Sequence, residues 1–283
     1  MLKDLIYLIR IEKWFVNIIV LLPLVFYCNY FSFDLVVLSF IGFVVLCFLS
    51  SVGYLINNFA NRENDIFHPF KYKRLESVEK VGRGKLINIG CGMFFIAMYV
   101  AWCANVQFGF ICILFLIWQC IYAFLLRDLF IVDVLAIGVG YVLRVLAGAS
   151  LIGVSINFLF VMFVFFLSCF ILFCKRRQEL LFNKKMLKYR NSLKKYSLNL
   201  LNIFIFSSAM FTLILYVLLD KIFTNHRLML IFPFVVCGIA RYVYLVFYKS
   251  KGMVPERELF SDSLLMGNYL LCFLVFFKIS FCL

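Results

Sequence analysis

Nine apolar runs, each long enough to cross a lipid bilayer as a helix, constrain the fold of this chain more than any other feature. They cover roughly residues 14–32, 35–59, 86–104, 107–126, 131–153, 156–174, 198–219, 227–247 and 263–282. A helix needs about 17 to 25 predominantly apolar residues to cross the hydrocarbon core. The connections leave no room for a soluble domain. The sequence therefore predicts an all-α, polytopic membrane protein with nine transmembrane helices in one domain, residues 1–283.

Basic residues are concentrated in the N-terminus and in the connections that follow the even-numbered runs. Those regions hold most of the 28 Lys and Arg residues, whereas the opposite loops contribute Lys221 and Arg227. The positive-inside rule then predicts an inner or plasma membrane protein whose N-terminus and large loops are cytoplasmic. We interpret the net charge of +14 as a collar facing anionic lipid headgroups, so nucleic acid is not predicted as a partner.

Polar and charged residues extend the end of the second run. Asn57, Asn61 and Asp65 are spaced four apart and Asn58 adjoins the first of them, so on a helix they share one face. A histidine and three basic residues follow: His68, Lys71, Lys73 and Arg74. Oxygen donors followed by cations suit a metal-bound phosphate. Polar groups are costly at membrane depth, which indicates a functional site here.

Three further places carry ionisable groups at membrane depth. Asp133 and Arg144 lie in the fifth run, about 16 Å apart along a helix, so each needs another partner. Small residues surround Arg144 and permit either close helix packing or a ligand. The sixth run ends in a Lys-Arg-Arg-Gln-Glu cluster at residues 175–179, which is either a positive-inside stop signal or a phosphate clamp. Arg241, in the eighth run, has no partner that the sequence identifies.

These residues resemble motifs of the UbiA superfamily of intramembrane prenyltransferases, in the polyprenyl-phosphate (decaprenyl-phosphate) phosphoribosyltransferase branch. The first motif of that branch runs Asn-Asp-x-x-Asp-x-x-x-Asp-x-x-His-Pro-x-Lys-x-x-Arg-Pro. It falls here on Asn57, Asn58, Asn61, Asp65, His68, Pro69, Lys71, Arg74 and Leu75. A second block is similar at Tyr122, Arg127, Asp133 and Arg144, and a third at Lys175, Arg176, Arg177 and Glu179.

The resemblance implies a nine-helix UbiA-like bundle and a Mg²⁺-dependent transferase. Its substrates would be 5-phosphoribosyl diphosphate and a polyprenyl phosphate lipid, and diphosphate would be released. The implied catalytic and metal-binding residues are Asp65, Asn61 and Asn58. The implied substrate-binding residues are Asn57, His68, Lys71, Arg74, Tyr122, Arg127, Asp133, Arg144, Lys175, Arg176 and Glu179.

The chain departs from the branch pattern where the metal would bind. Asn58 and Asn61 stand in place of aspartates, and an amide oxygen is a weaker Mg²⁺ ligand than a carboxylate. Two alternatives therefore stay open. One is a prenyltransferase that uses a polyprenyl diphosphate donor and an aromatic or other acceptor, for which a second aspartate-rich motif is expected near the sixth-to-seventh connection. The other is a catalytically impaired relative or a non-enzymatic membrane protein.

Overall fold

A computed structural model describes residues 2–27, 32–60, 72–182, 191–222, 228–249, 252–253, 255, 258 and 261–282. Every regular element among these residues is helical. We number the α-helices α1 (Leu2–Ile9), α2 (Leu22–Tyr27), α3 (Phe33–Ala60), α4 (Tyr72–Val81), α5 (Arg83–Ala104), α6 (Val106–Ile121), α7 (Val132–Ile152), α8 (Phe158–Phe182), α9 (Leu198–Ile222), α10 (Phe232–Tyr248) and α11 (Ser263–Cys282). Three 3₁₀ helices (Ile11–Leu21, Asn191–Lys195, Leu228–Leu230) and a π-helical segment (Tyr122–Leu126) complete the described elements.

Six of the described helical segments are long and apolar enough to cross a membrane. They are Phe33–Ala60, Arg83–Ala104, Val106–Leu126, Val132–Ile152, Phe158–Leu181 and Leu198–Lys221, and they match the second to seventh predicted runs. The eighth and ninth runs correspond to the shorter apolar helices Phe232–Tyr248 and Ser263–Val275. The first run overlaps the 3₁₀ helix Ile11–Leu21 and contains α2. The all-helical membrane fold is therefore confirmed, and nine crossings stay a prediction.

Local sequence explains several helix ends. The Asn105 side chain accepts hydrogen bonds from the amides of Gln107 and Phe108 at 2.8 and 3.3 Å, which caps the start of α6. Asn157 caps α8 in the same way, through the Leu159 amide at 2.8 Å. Gly153 ends α7 with a left-handed backbone (φ 72°), which glycine adopts without a Cβ clash. The connections α5–α6 and α7–α8 are short because these polar residues stop and start helices within a few positions.

The packing of the chain divides into two compact units. Unit 1 comprises Met1–Ile156 and Lys184–Lys195. Within it α3 packs against the first 3₁₀ helix and against α5, α6 and α7, while α1 packs on α4. The core between these helices is apolar and includes Leu46, Leu49, Phe108 and Phe115, all fully buried.

Unit 2 comprises Asn157–Asn183 and Tyr196–Leu283. Its helices α8 and α9 pack along each other, and α10 packs against α8, α9 and α11. Aromatic rings fill much of its interior. Phe170 meets Tyr242 edge-to-face with ring centroids 5.8 Å apart, and Phe173 lies 5.0 Å from Phe204.

Candidate active site

A polar stripe runs along the face of α3 that meets the first 3₁₀ helix. Successive members are three or four residues apart, which keeps them on one side of an α-helix: Cys47, Ser51, Tyr54 and Asn58. The opposing 3₁₀ helix places a side chain every third residue on one face. From that face the Trp14 indole donates to the Ser51 hydroxyl at 2.9 Å, and the Cys47 thiol lies 3.8 Å from the Trp14 carbonyl oxygen.

Arg10 closes the stripe at the end of α3 that leads into the predicted metal motif. Its Nη2 donates to Asn58 Oδ1 at 2.8 Å, and its guanidinium carbon lies 4.7 Å from the centre of the Tyr54 ring. Both Arg10 and Asn58 are 7% exposed. Arg10 itself has a left-handed backbone (φ 57°, ψ 52°), where the chain turns from α1 into the 3₁₀ helix. Asn58, a predicted metal ligand, is thus bonded through its oxygen to a buried guanidinium.

Arg144, a predicted substrate-binding residue, belongs to a second buried network in unit 1. Its Nε donates to Asn17 Oδ1 at 2.7 Å and its Nη1 donates to the Gly140 carbonyl at 2.8 Å. The Ser50 hydroxyl donates to the same Asn17 oxygen at 3.0 Å. The guanidinium also lies over the Phe115 ring, 4.7 Å from its centre. No bond to Arg144 Nη2 occurs among the described residues, so one end of this buried cation has remaining donor capacity.

Two predicted site residues, Arg127 and Asp133, lie at the start of α7. Arg127 is five residues before the helix and Asp133 is in its first turn. Asp133 is fully buried and Arg127 is 4% exposed. Ser192, from the segment Lys184–Lys195 that returns to unit 1, has its hydroxyl 3.5 Å from Asp133 Oδ2 and 3.5 Å from the Arg127 carbonyl oxygen. The structure therefore places these three residues together.

The backbone around Arg127 and Asp133 is irregular. The predicted site residue Tyr122 begins the π-helical segment Tyr122–Leu126 directly before Arg127, and Ile131 has φ 64°. A positive φ is strained for a β-branched residue. Such π-segments and strained residues often occur at functional sites. The irregular backbone thus agrees with a functional role for the α6–α7 connection.

The basic cluster at the end of α8 divides into two kinds of contact within unit 2. Arg176 is 1% exposed, and its Nη1 lies 2.5 Å from Glu179 Oε2. Arg177 instead donates from Nε to Asn202 Oδ1 at 3.0 Å and lies over the Phe247 ring at 3.9 Å. Lys175 is half-buried. Of the predicted site residues in unit 2, Arg176 and Glu179 therefore form an ion pair.

Arg177 and Gln178 also hold the end of α10. Both donate to the carbonyl oxygen of Val246, which lies in the last turn of that helix. Carbonyls in a last helical turn have no partner within their own helix. The interpretation of this cluster as a simple stop signal misses that packing role.

Arg241 has a partner that the sequence analysis did not find. Its Nε and Nη2 donate to the two carboxylate oxygens of Asp262 at 3.1 and 2.9 Å. Asp262 also accepts from the Leu265 amide at 3.1 Å and so caps α11.

The side chains of five predicted site residues lie outside the described part of the chain. Asn61, Asp65, His68 and Lys71 lie outside the described residues, and of Arg74 the structure describes the backbone, in α4. Asn57, on α3, is half-buried. Within the described ranges, no group of three or more His, Cys, Asp and Glu residues is placed to hold a metal.

The UbiA prenyltransferase family model matches residues 17–264, most of the chain. The chain belongs to the UbiA prenyltransferase family. Decaprenyl-phosphate phosphoribosyltransferases are among its similar relatives. That of Corynebacterium glutamicum is 26% identical over 194 residues, covering 67% of this chain and 58% of the relative. That of Mycolicibacterium smegmatis is 25% identical over 202 residues, covering 70% and 64%. The similarity thus extends over less than two thirds of each relative's length.

Solved UbiA structures share the fold. A UbiA homolog from Archaeoglobus fulgidus bound to GPP and Mg²⁺ superimposes with a TM-score of 0.73 at 16% identity, covering 99% of this chain and 98% of the other. The apo UbiA homolog from Aeropyrum pernix K1 gives 0.66 at 13% identity, with coverages of 92% and 96%. This chain is therefore an integral membrane protein with the UbiA fold.

Three residues that contact the predicted site residues were not predicted from the sequence. Arg10 is one of the basic residues of the N-terminus, which the sequence assigns to the cationic collar, but it is buried against Asn58. Asn17 is a polar residue inside the first apolar run, and that position alone could have marked it. Ser192 follows a strongly basic stretch and carries no comparable signal.

Proposed function

We propose that this chain transfers the 5-phosphoribosyl group of 5-phosphoribosyl diphosphate to a polyprenyl phosphate at the cytoplasmic face of its membrane. In this reaction the bond from the anomeric carbon to the diphosphate breaks and a phosphate oxygen of the lipid forms the new bond. The lipid phosphate is already anionic, so it needs orientation more than a general base. The proposal includes nine membrane crossings with a cytoplasmic N-terminus, as the cation distribution predicts.

The Arg176–Glu179 ion pair is the observation that favours this proposal over the alternative with a polyprenyl diphosphate donor. That alternative is expected to use a second aspartate-rich motif in this region. Here the block is Lys-Arg-Arg, and its acid, Glu179, is paired at 2.5 Å with a nearly fully buried guanidinium. A carboxylate neutralised in this way attracts a second divalent cation weakly. The remaining positive charge suits a donor that carries a 5-phosphate in addition to its diphosphate.

Basic side chains would bind the phosphates of both substrates. They are assigned from the sequence motifs, and several of them are buried cations: Lys71, Arg74, Arg127, Arg144, Lys175 and Arg176. Fixed guanidinium groups stabilise the charge that develops on the leaving diphosphate without reorganising during the reaction. His68, Asn57, Tyr122 and Asp133 would complete the substrate contacts. The similarity to decaprenyl-phosphate phosphoribosyltransferases supports both substrates.

Asp65 and Asn61 would hold Mg²⁺. The sequence motif assigns Asn58 to the same set of ligands. Asn58 is the described member of this set, and its amide oxygen has the donor chemistry that Mg²⁺ accepts, although Arg10 already bonds to that oxygen. When bound, Mg²⁺ would neutralise part of the diphosphate charge. The carboxylate of Asp65 would then be the main charged protein ligand.

The decisive test is turnover by the purified protein in lipid nanodiscs. Labelled 5-phosphoribosyl diphosphate, Mg²⁺ and polyprenyl phosphates of several lengths are supplied, and products are read by mass. We expect a phosphoribosyl lipid from the wild type and none from Asp65→Ala. Asp34→Ala is the matched control, because Asp34 is an exposed carboxylate in the first turn of α3 and should leave turnover unchanged.

Three outcomes would contradict the proposal. Full turnover by Asp65→Ala would remove the metal assignment. Product from a polyprenyl diphosphate and an aromatic acceptor, with none from 5-phosphoribosyl diphosphate, would establish the alternative chemistry. Absence of turnover with either donor would favour a non-enzymatic role.

A further inference from the structure

The orientation of the Asn58 side-chain amide is fixed by its partner. Arg10 Nη2 lies 2.8 Å from Asn58 Oδ1. A guanidinium has donors and no acceptor, so the atom that faces it must be the amide oxygen. The nitrogen, Nδ2, therefore points away from Arg10. The amide oxygen of Asn58 is therefore already used in a hydrogen bond within the protein.

This oxygen is the atom that a metal would need. A metal ligand here must be the Asn58 oxygen, and a cation bound to that oxygen would sit close to the positive charge of Arg10. That charge is itself buried, at 7% exposure, and solvent screens buried charges less than exposed ones. The Arg10 contact therefore disfavours Mg²⁺ at position 58.

The other end of the amide, Nδ2, is buried and has no hydrogen-bond partner among the described residues. Buried donors without partners cost free energy and are rare in folded proteins. Asn58 also lies two residues before the end of α3, where the chain enters the predicted phosphate motif. An anionic oxygen is the acceptor that would suit a free N–H beside a fixed guanidinium.

We propose that Asn58 binds the diphosphate group of the donor through its side-chain N–H, in place of the metal-ligating role that the motif suggests for its position. Arg10 acts as a positioning residue, because it holds the amide with its nitrogen free. The substitution of asparagine for aspartate then changes a metal ligand into a phosphate ligand. The proposal rests on the proposed function in one respect, that the donor carries a diphosphate.

Binding of inorganic diphosphate and of Mn²⁺ tests this separately from turnover. Asn58→Asp is nearly isosteric and exchanges the free N–H for a negatively charged oxygen. We expect diphosphate affinity, measured by calorimetry with EDTA and again with Mg²⁺, to fall at least about tenfold. Mn²⁺ affinity, measured by electron paramagnetic resonance without diphosphate, should stay within about threefold of the wild type, because Arg10 pairs with the new carboxylate.

Two further variants complete the set. Asn58→Ala removes the donor without adding charge, so it should lose diphosphate affinity by a smaller factor, about threefold or more. If Asn58→Asp does not fold, the diphosphate affinity of Asn58→Ala tests the proposal by itself. Gln107→Glu is the control for an amide-to-carboxylate change, because Gln107 is exposed at the start of α6 and should alter neither affinity.

Mn²⁺ binding that is tightened tenfold or more by Asn58→Asp would place the metal at position 58 and overturn the proposal. Diphosphate affinity that is unchanged in both Asn58 variants would overturn it as well. Failure of the proposed function has a different signature. If the wild type uses polyprenyl diphosphate and not 5-phosphoribosyl diphosphate, the assignment of Asn58 still holds, since both donors carry the probed group.

Discussion

Removing the Asn17 amide should destabilise the protein mainly because it leaves the Nε donor of the buried Arg144 cation without its acceptor inside unit 1. Arg144 lies about 18 Å from the N-terminal end of α7 and about 12 Å from its C-terminal end, which is too deep for its side chain to reach the headgroups. A hydrogen bond to a charged donor contributes about 1.5 to 3 kcal/mol and the Ser50 bond about 1 kcal/mol. We expect Asn17→Ala to cost about 3 kcal/mol of unfolding free energy. Ordinary polar pairs between membrane helices average about 0.6 kcal/mol.

Arg144→Met should rescue much of that loss. Methionine removes the buried charge while keeping a long apolar side chain, and replacing a buried ionic group by an apolar one is often nearly neutral. The double variant should therefore cost about 1 kcal/mol, which corresponds to a coupling energy of about 2 kcal/mol. Equilibrium unfolding by SDS in mixed micelles measures each value. The double variant remains folded and loses the proposed phosphate contact of Arg144, so turnover stays low while stability recovers.

The Arg177–Asn202 pair offers a matched control in unit 2. Its Nε–Oδ1 distance is 3.0 Å, and Arg177 keeps a carbonyl and a ring partner when Asn202 is truncated, as Arg144 does when Asn17 is. Arg177 is half-buried, however, whereas Arg144 is 7% exposed, so water can replace the lost acceptor at Arg177. Asn202→Ala should therefore cost less than about 1 kcal/mol. The reasoning is refuted if Asn17→Ala costs no more than Asn202→Ala. It is refuted equally if adding Arg144→Met leaves the Asn17→Ala protein no more stable.

Two packing predictions follow from the same structure. Gly148→Ala should lower the free energy of unfolding by about 1 to 3 kcal/mol, because the new Cβ would collide with the Val20 carbonyl oxygen. Gly92 has open space around it, so Gly92→Ala should be neutral or slightly stabilising. Melting temperatures in detergent compare the two variants. Asp262→Ala should lower the melting temperature more than Asp262→Asn. Alanine loses both the Arg241 pair and the α11 cap, while asparagine retains an oxygen for the cap. Equal shifts would contradict the capping role.

Hydropathy predicted the long helices well because each must satisfy its own backbone and present an apolar surface to lipid. It could not predict the 3₁₀ winding of Ile11–Leu21, since mean hydropathy does not depend on how a segment is wound. The depth of Arg144 in its run correctly marked it as buried and partnered. The identity of the partner, 127 residues away in sequence, follows from tertiary packing and could not be read from the pattern.

The basic cluster after α8 illustrates the limit for charged residues. Its sequence favoured a stop signal and a phosphate clamp about equally. The structure adds a third role, because Arg177 and Gln178 bond to the Val246 carbonyl of another helix. Nothing in a run of cations distinguishes a side chain that faces a ligand from one that holds a helix end. Such a distinction depends on which neighbours the helix meets.

The rise of the 3₁₀ helix Ile11–Leu21 matches the spacing of its partners on α3. From Asn58 to Ser50 and to Cys47 the α3 backbone rises about 12 and 16.5 Å, and Asn17 contacts both Ser50 and Cys47. Seven residues from Arg10 to Asn17 rise about 14 Å in a 3₁₀ helix and about 10.5 Å in an α-helix. The 3₁₀ rise lies between the two α3 spacings, which agrees with Arg10 reaching Asn58 while Asn17 reaches Ser50 and Cys47. The 3₁₀ helix Ile11–Leu21 therefore connects the Arg144 network, through Asn17, with the Arg10–Asn58 contact at its start.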